Sequence, residues 1–206
     1  MRILWILPYL PWPTASGGKT RQYHLLRTLA ARGHRITLLV QSKTELDAAA
    51  RQALEPMLER LIVLPRRSLR HPLTLACALL GPWPLLTCIN GLNNRLSDTF
   101  KQLLNEHWDV VQVEHSYSFQ PYANSLSSYP QGFVLTEHNL ESSLAGATYS
   151  RFPRWAAPFV WFDQWRARRW ERQVFDTARQ VVAVTEADAQ AMAQLMDRLG
   201  YDTFWM

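Results

Sequence analysis

The chain has 206 residues, 48% of them hydrophobic, which suits one large domain or two small ones with an ample core. Two cysteines, Cys77 and Cys88, exclude a disulfide scaffold, offer no metal-ligand spacing and point to a reducing compartment. The net charge of +5 is modest and unevenly placed: residues 151–172 hold six arginines against Asp163 and Glu171.

Met1 to Pro8 has a single basic residue, an apolar run too short for a secretory signal and no small-residue cleavage site. A buried strand, Arg2–Leu7, accounts for it better, and the chain is expected in the cytoplasm. The prolines between Pro8 and Pro13 prevent a central ladder from continuing, so a loop follows. Gly17-Gly18 then precedes a helix over residues 19–32, where Tyr23, Leu26, Leu29 and Ala30 recur at helical spacing and Gly33 is placed to end it. Residues 36–40 make the second strand and complete a strand–helix–strand unit.

Residues 45–58 read as a helix and 61–64 as a strand. The most apolar stretch, 73–89, is broken by Gly81, Pro82 and Pro84, and it falls short of the roughly 20 residues a bilayer requires. It reads as two short helices around a kink, packed on the core or on lipid. A helix over 92–106, a strand over 109–114, a helical stretch over 119–126 and strands over 132–136 and 180–184 follow. Thr185 with Asp188 forms a capping-box start for the last helix. Strands alternating with helices at this rate predict an α/β fold with a parallel sheet and helices on both faces. Strand order is not readable from these signals.

In open α/β sheets ligands bind at the carboxyl ends of the strands, so the residues after each strand are the candidates. Ser16-Gly17-Gly18-Lys19-Thr20 offers close backbone approach and a helix N-terminus, which suits a diphosphate. It lacks both the dinucleotide fingerprint and the Walker A spacing, and a helix-capping turn is the plainer alternative. His115 follows one strand; Glu137, His138, Asn139 and Glu141 follow its successor. Imidazoles at two strand ends can accept a proton or bind a sugar hydroxyl, or they belong to a satisfied polar loop. His115, Glu137, His138 and Glu141 match no zinc pattern, so no metal is expected. His24, His34, His71 and His107 fall on helices or turns and read as structural or exposed.

Within 151–172, aromatic residues interleave with the arginines. Trp155, Trp161, Trp165, Arg166 and Arg169 are candidates for contact with an anionic membrane surface; a buried aromatic helix with a solvated arginine face is the alternative. No G-x-S-x-G elbow supports a serine hydrolase, and no nucleic-acid-binding signature accompanies the basic segment.

Taken in order, several segments resemble family 4 (group 1) glycosyltransferases of the GT-B fold. They are the first strand ending in Pro, Gly17-Gly18, the helix closing on Arg32-Gly33-His34, Asp109 to His115, Leu135-Thr136-Glu137-His138-Asn139 and Val182 to Asp188. The resemblance implies the N-terminal, Rossmann-like half of such an enzyme over residues 1–206. It implies sugar transfer from a nucleotide-sugar donor with retention, to a glycan or lipid-linked acceptor, without a metal. Gly17 and Gly18 would lie near the donor diphosphate. His138 would face the transferred sugar and the acceptor, and would be the catalytic position. His115, Glu137, Asn139 and Glu141 would border the acceptor cleft. The aromatic and basic segment would touch the inner face of the membrane. The family's second domain, with its E-x7-E element, has no counterpart in these residues, so the chain alone is expected to be inactive. A non-catalytic Rossmann-like binding or partner module is the alternative.

Overall fold

The computed structural model describes residues 1–68, 71–143, 149–150, 152–196 and 203–205; Arg151 of the aromatic segment lies outside them. Its strands are β1 (Arg2–Leu7), β2 (Arg35–Ser42), β3 (Arg60–Pro65), β4 (Val110–Glu114), β5 (Val134–Glu137), β6 (Gln180–Ala183) and β7 (Thr203–Trp205). All pair in parallel, in the order β3-β2-β1-β4-β5-β6-β7. The six strands expected from sequence are present within one or two residues at their ends, and β7 is additional. The helices are α1 (Gly17–Ala31), α2 (Ala48–Leu54), α3 (Pro72–Leu80), α4 (Leu85–Asn90), α5 (Asn94–Leu103), α6 (Ala123–Ser127), α7 (Ala157–Thr177) and α8 (Glu186–Met196).

β1 shows why the pattern folds this way. Every one of its apolar residues is buried, because successive side chains point to opposite faces and both faces are covered. Ile3, Trp5 and Leu7 join Leu26 of α1 with Ile36, Leu38 and Val40 of β2 in one core. Leu4 and Ile6 join Leu96 and Phe100 of α5, Val174 and Phe175 of α7 and Met192 of α8 in the other. The sheet is thus a layer between two sets of helices, a Rossmann-like α/β fold.

Two helix ends follow from local chemistry. Gly33 sits at φ +80°, and the amides of Gly33 and His34 donate to the carbonyls of Ala30 (2.9 Å) and Leu29 (3.1 Å), closing α1 in a Schellman motif. The Thr185 hydroxyl accepts from the Asp188 amide at 3.1 Å, the cap that the sequence predicts for α8. The other end of α1 differs from expectation. Ser16 is the cap, so Gly17 and Gly18 form the first helical turn rather than a loop before it. The helix expected over 45–58 is also shorter: Asp47 caps it, and the turn Glu55–Met57, with Pro56 inside, is 3₁₀.

The kink at Gly81–Pro84 is held from α7. Asp163 accepts from the Leu85 amide through both carboxylate oxygens, at 3.1 and 3.2 Å, capping α4. Arg166 donates to the carbonyls of Ala78 (2.6 Å) and Gly81 (2.8 Å), covering the open end of α3. The two side chains also pair with each other, and Tyr149 donates to Asp163. Asp163 is fully buried and Arg166 2% exposed. Removing one partner of a buried pair leaves an uncompensated charge, so Arg166→Ala should lower the unfolding free energy by about 3–5 kcal/mol. Arg169→Ala, at an exposed position one turn on, should stay within about 0.5 kcal/mol in the same urea titration.

Candidate functional site

Strand order reverses between β1 and β4, and the crevice of a doubly wound sheet opens there, at the carboxyl ends. Tyr9 follows β1, His115 follows β4 and His138 follows β5, while the first turn of α1 enters from above β1. The topology therefore gathers the separately predicted strand-end residues at one place.

Glu114, the last residue of β4, organises them. It is wholly buried, yet four side-chain N–H groups reach its carboxylate. Trp5 Nε1 and Gln112 Nε2 donate to Oε1 at 3.1 and 2.8 Å. Gln22 Nε2 and His138 Nε2 meet Oε2 at 3.3 and 2.9 Å. Burial alone would raise its titration point, but the hydrogen bond from His138 and the neighbouring imidazoles hold it below the usual carboxylate range. An ionised carboxylate can only accept, so His138 carries a hydrogen on Nε2 and turns Nδ1 outward. That nitrogen lies against α1: a Cβ added to Gly18 would stand 3.3 Å from His138 Nδ1 and 3.2 Å from the Tyr9 hydroxyl. Gly18 is thus at contact with the imidazole, whereas around Gly17 there is open space.

His115 has φ +66°, a strained backbone for a residue with a Cβ. Its ring is 4.5 Å from that of His138 and stacks on Tyr117 at 4.8 Å, with 21° between planes. Gln22 Nε2 also reaches the Tyr9 hydroxyl (3.4 Å), which in turn meets His115 Nε2 (3.2 Å). Burial pushes His115 down, against the opposite pull of Glu114 and Glu141. His115 Nδ1 faces Glu137 Oε1 at 3.7 Å, and neither atom has a hydrogen-bond partner. Glu137 Oε2 accepts from the Ser116 amide at 2.6 Å. Burial raises Glu137 to about 8, and Glu141 to about 7 with the help of Glu137. Donor atoms of His115, Glu137 and Glu141 lie within 4.8 Å of one another. His138, grouped with them by sequence, instead turns Nε2 to Glu114. Asn139 is exposed. Beside this cluster, Thr87, Ser116, Ser142 and Glu171 line a small cavity of about 20 Å³, room for one water.

The aromatic segment divides. Trp155, Trp161 and Trp165 are 83%, 69% and 49% exposed, and Arg169 lies 5.8 Å over the Trp165 ring. Trp170 faces inward, with Nε1 donating to the Ser116 carbonyl at 2.9 Å. Arg166 is a correction: expected on the outer surface, it is buried because the carbonyls at the end of α3 need its guanidinium. Leu73, Leu75, Leu79 and Leu80 of α3 are also exposed. Among the described residues, no helix is long and apolar enough to cross a membrane.

Sequence reasoning missed Glu114, Gln22, Trp5, Tyr9 and Tyr117. The available signal was a glutamate closing a valine-rich strand, a position that burial makes costly without donors.

The raised carboxyls give a pH signature. A carboxyl that titrates near 8 when folded and at about 4.3 when unfolded binds more protons in the folded state between those values. Its stabilising share is whole at low pH and is lost as pH rises through that window. Glu141 and Glu171 act alike up to about 7. His115, shifted down, opposes them only below about pH 6.5, and Glu114 only in the carboxylate range. The urea midpoint should therefore fall from pH 6.5 to 8, and Glu137→Gln should flatten that fall; an unchanged slope would refute the assignment.

The profile of Glycosyltransferase Family 4 matches residues 15–198. No curated protein matches the chain. Among solved structures, sucrose-phosphate synthase from Thermosynechococcus elongatus superposes with a TM-score of 0.59 at 15% identity, covering 100% of this chain and 47% of that one. The structure of TcCGT1 in complex with UDP gives a TM-score of 0.45 at 10% identity, covering 94% of this chain and 46% of the other. The chain thus spans about half the length of these proteins, and the first likeness is one of fold. With the family profile covering most of its length, the chain belongs to glycosyltransferase family 4.

Proposed function

We propose that the chain is the acceptor-side half of a retaining glycosyltransferase, moving a sugar from a nucleotide-sugar donor to a glycan or lipid-linked acceptor without a metal. The reading rests on one observation above others: a helix N-terminus and an outward imidazole nitrogen meet at Gly18, at the carboxyl edge of the sheet. The free amides of the first turn of α1, at Gly17 and Gly18, face the donor diphosphate, where the helix dipole favours negative charge. His138 Nδ1 accepts a hydrogen bond from a hydroxyl of the transferred sugar or the acceptor, and Glu114 keeps the ring in the required tautomer. His115, Glu137, Asn139 and Glu141 border the acceptor. An opposing donor-binding half supplies the remaining contacts to the nucleotide, so transfer requires both.

The exposed tryptophans of 155–165, with Arg169 and the leucines of α3, suit the cytoplasmic face of a membrane. Indole rings settle at headgroup depth, and arginine favours anionic lipid. Contact there would bring the crevice to a lipid-linked acceptor.

With a donor-binding half supplied and UDP- or GDP-sugars tested, His138→Ala should lose about 100-fold or more in kcat, while His34→Ala, far from the crevice, keeps wild-type turnover. Equal losses would remove His138 from its role. In sedimentation with phosphatidylglycerol vesicles, the Trp155→Ser, Trp161→Ser double variant should pellet less than the wild-type chain, and phosphatidylcholine vesicles should retain neither. Undiminished pelleting of the variant would end the membrane reading.

A further inference from the structure

Two side chains at the ends of β4 and β5 are each fixed at one polar atom and unpaired at the other. His115 Nε2 meets the Tyr9 hydroxyl at 3.2 Å, and Glu137 Oε2 accepts from the Ser116 amide at 2.6 Å. The remaining atoms, His115 Nδ1 and Glu137 Oε1, have no hydrogen-bond partner, although His115 is only 5% exposed and Glu137 is fully buried. They face each other at 3.7 Å, too far for a hydrogen bond. A carboxylate oxygen of Glu141 joins them, and the three donor atoms all lie within 4.8 Å of one another. β4 and β5 pair directly, so strand register brings these atoms together. Residues 115, 137 and 141 fit no zinc motif because two neighbouring strand ends, and no single local segment, supply the donors.

We propose that His115 Nδ1, Glu137 Oε1 and a carboxylate oxygen of Glu141 bind one divalent d-block metal ion, zinc being the type. The ion belongs to the wall of the crevice, and no step of the sugar transfer proposed for His138 passes through it.

The geometry suits an ion better than a proton shared between His115 and Glu137. Donors about 2.1 Å from one ion lie about 3 to 4.2 Å apart. The 3.7 Å separation falls inside that range, and small side-chain rotations close the widest one. A shared proton needs the two atoms within about 3 Å. The outer bonds are also those of a metal site: Tyr9 holds the far nitrogen of the imidazole and the Ser116 amide the far oxygen of the carboxylate, which orients each ligand. One imidazole with two carboxylates favours zinc and its neighbours over magnesium or calcium, which take oxygen ligands. The surrounding charge agrees. Glu114 acts on both His115 and Glu137, and Glu171 acts on Glu141, while Arg21 opposes them at His115. His138, neutral with its hydrogen on Nε2, adds no full charge, and Asp163 and Arg166 offset each other. With both ligand carboxylates ionised, the cluster holds an excess of buried negative charge that a cation offsets.

The test is calorimetric titration of the EDTA-stripped chain with zinc chloride in chelator-free buffer. The wild-type chain should take up one ion with a micromolar or tighter Kd, and magnesium chloride should bind at least about 100-fold more weakly. Glu137→Gln, Glu141→Gln and His115→Asn should each weaken zinc binding about 100-fold; asparagine is chosen because it tolerates the positive φ at 115. Tyr9→Phe, which removes only the outer hydroxyl, should cost about tenfold. His34→Gln is the control for a surface chelate, since His34 Nδ1 lies 3.3 Å from the terminal amine, and it should bind as wild type does. Zinc should raise the urea midpoint of the wild-type chain and leave that of Glu137→Gln unmoved. The fall in stability above pH 6.5 belongs to the metal-free chain and is measured with chelator present. Cobalt(II) reads the wild-type site without any substitution: one contact-shifted, exchangeable imidazole N–H signal is expected in the proton NMR spectrum. No saturation by about 1 mM zinc, wild-type affinity in the three ligand variants, or a cobalt spectrum with no such signal or with two overturns the proposal. Ion binding involves no transfer, so a chain that passes this test yet never supports glycosyl transfer would refute the enzyme reading alone.

Discussion

The buried carboxylate of Glu114 is the interaction on which the site depends. A charge taken out of water is costly unless donors replace the solvent. Here those donors come from the strand beside it (Trp5), the helix that follows that strand (Gln22), its own strand (Gln112) and the loop after β5 (His138). The bonds therefore add side-chain ties between α1, β1, β4 and the His138 loop to the backbone ladder that already pairs β1 with β4. They also settle which nitrogen of His138 faces outward. The same carboxylate thus secures the architecture and the chemistry, and changing it would disturb both together.

A second buried charge cluster lies across the small cavity that Asp163 lines together with Ser116 and Glu141. Asp163 and Arg166 reach from α7 to the adjoining ends of α3 and α4, supplying an acceptor where amides are free and donors where carbonyls are free. Gly81 belongs to the same device: a Cβ there would stand 2.5 Å from the Cys77 carbonyl, so only glycine allows the turn to close this tightly. Since α7 also sends Trp170 to the Ser116 carbonyl, the clamp connects the outer aromatic face to the loop beside His115. The exposed leucines of α3 and tryptophans of the α7 region are consequently held on a rigid base.

The fold was legible because its signals are local and strong. Short apolar runs such as residues 36–40 have one stable use in a chain of this kind, a strand covered on both faces. Gly33 and the Thr185–Asp188 pair mark helix ends by conformations and bonds that few other residues provide. What stayed hidden depends on contacts across the sequence. Nothing near Glu114 reveals that Trp5, 109 residues away, will donate to it. Arg166 was misread for the same reason: helical periodicity placed it with Arg169, but free carbonyls at the end of another helix drew it inward. The start of α1 was misread by two residues, since the cap at Ser16 is weak, a bond of 3.5 Å. Gathering His115 and His138 into one site was legible from the rule that strand ends converge; the contact of Gly18 with the ring was not.

The distribution of unsatisfied groups carries the argument further. A folded chain normally pairs its buried polar atoms, and exceptions ask for a cause. Several of the exceptions among the described residues adjoin one another after β4 and β5: His115 Nδ1, Ser116 Oγ and Glu137 Oε1, together with the strained backbone of His115. Each costs stability, and none is needed to hold the sheet, whose apolar layers are complete without them. Local strain and unpaired polarity of this kind persist where a bound partner relieves them. The carboxyl edge of β4 and β5 is therefore a place where, among the described residues, the fold gives up stability in more than one way, through a strained backbone and through polar atoms that a bound ligand would satisfy.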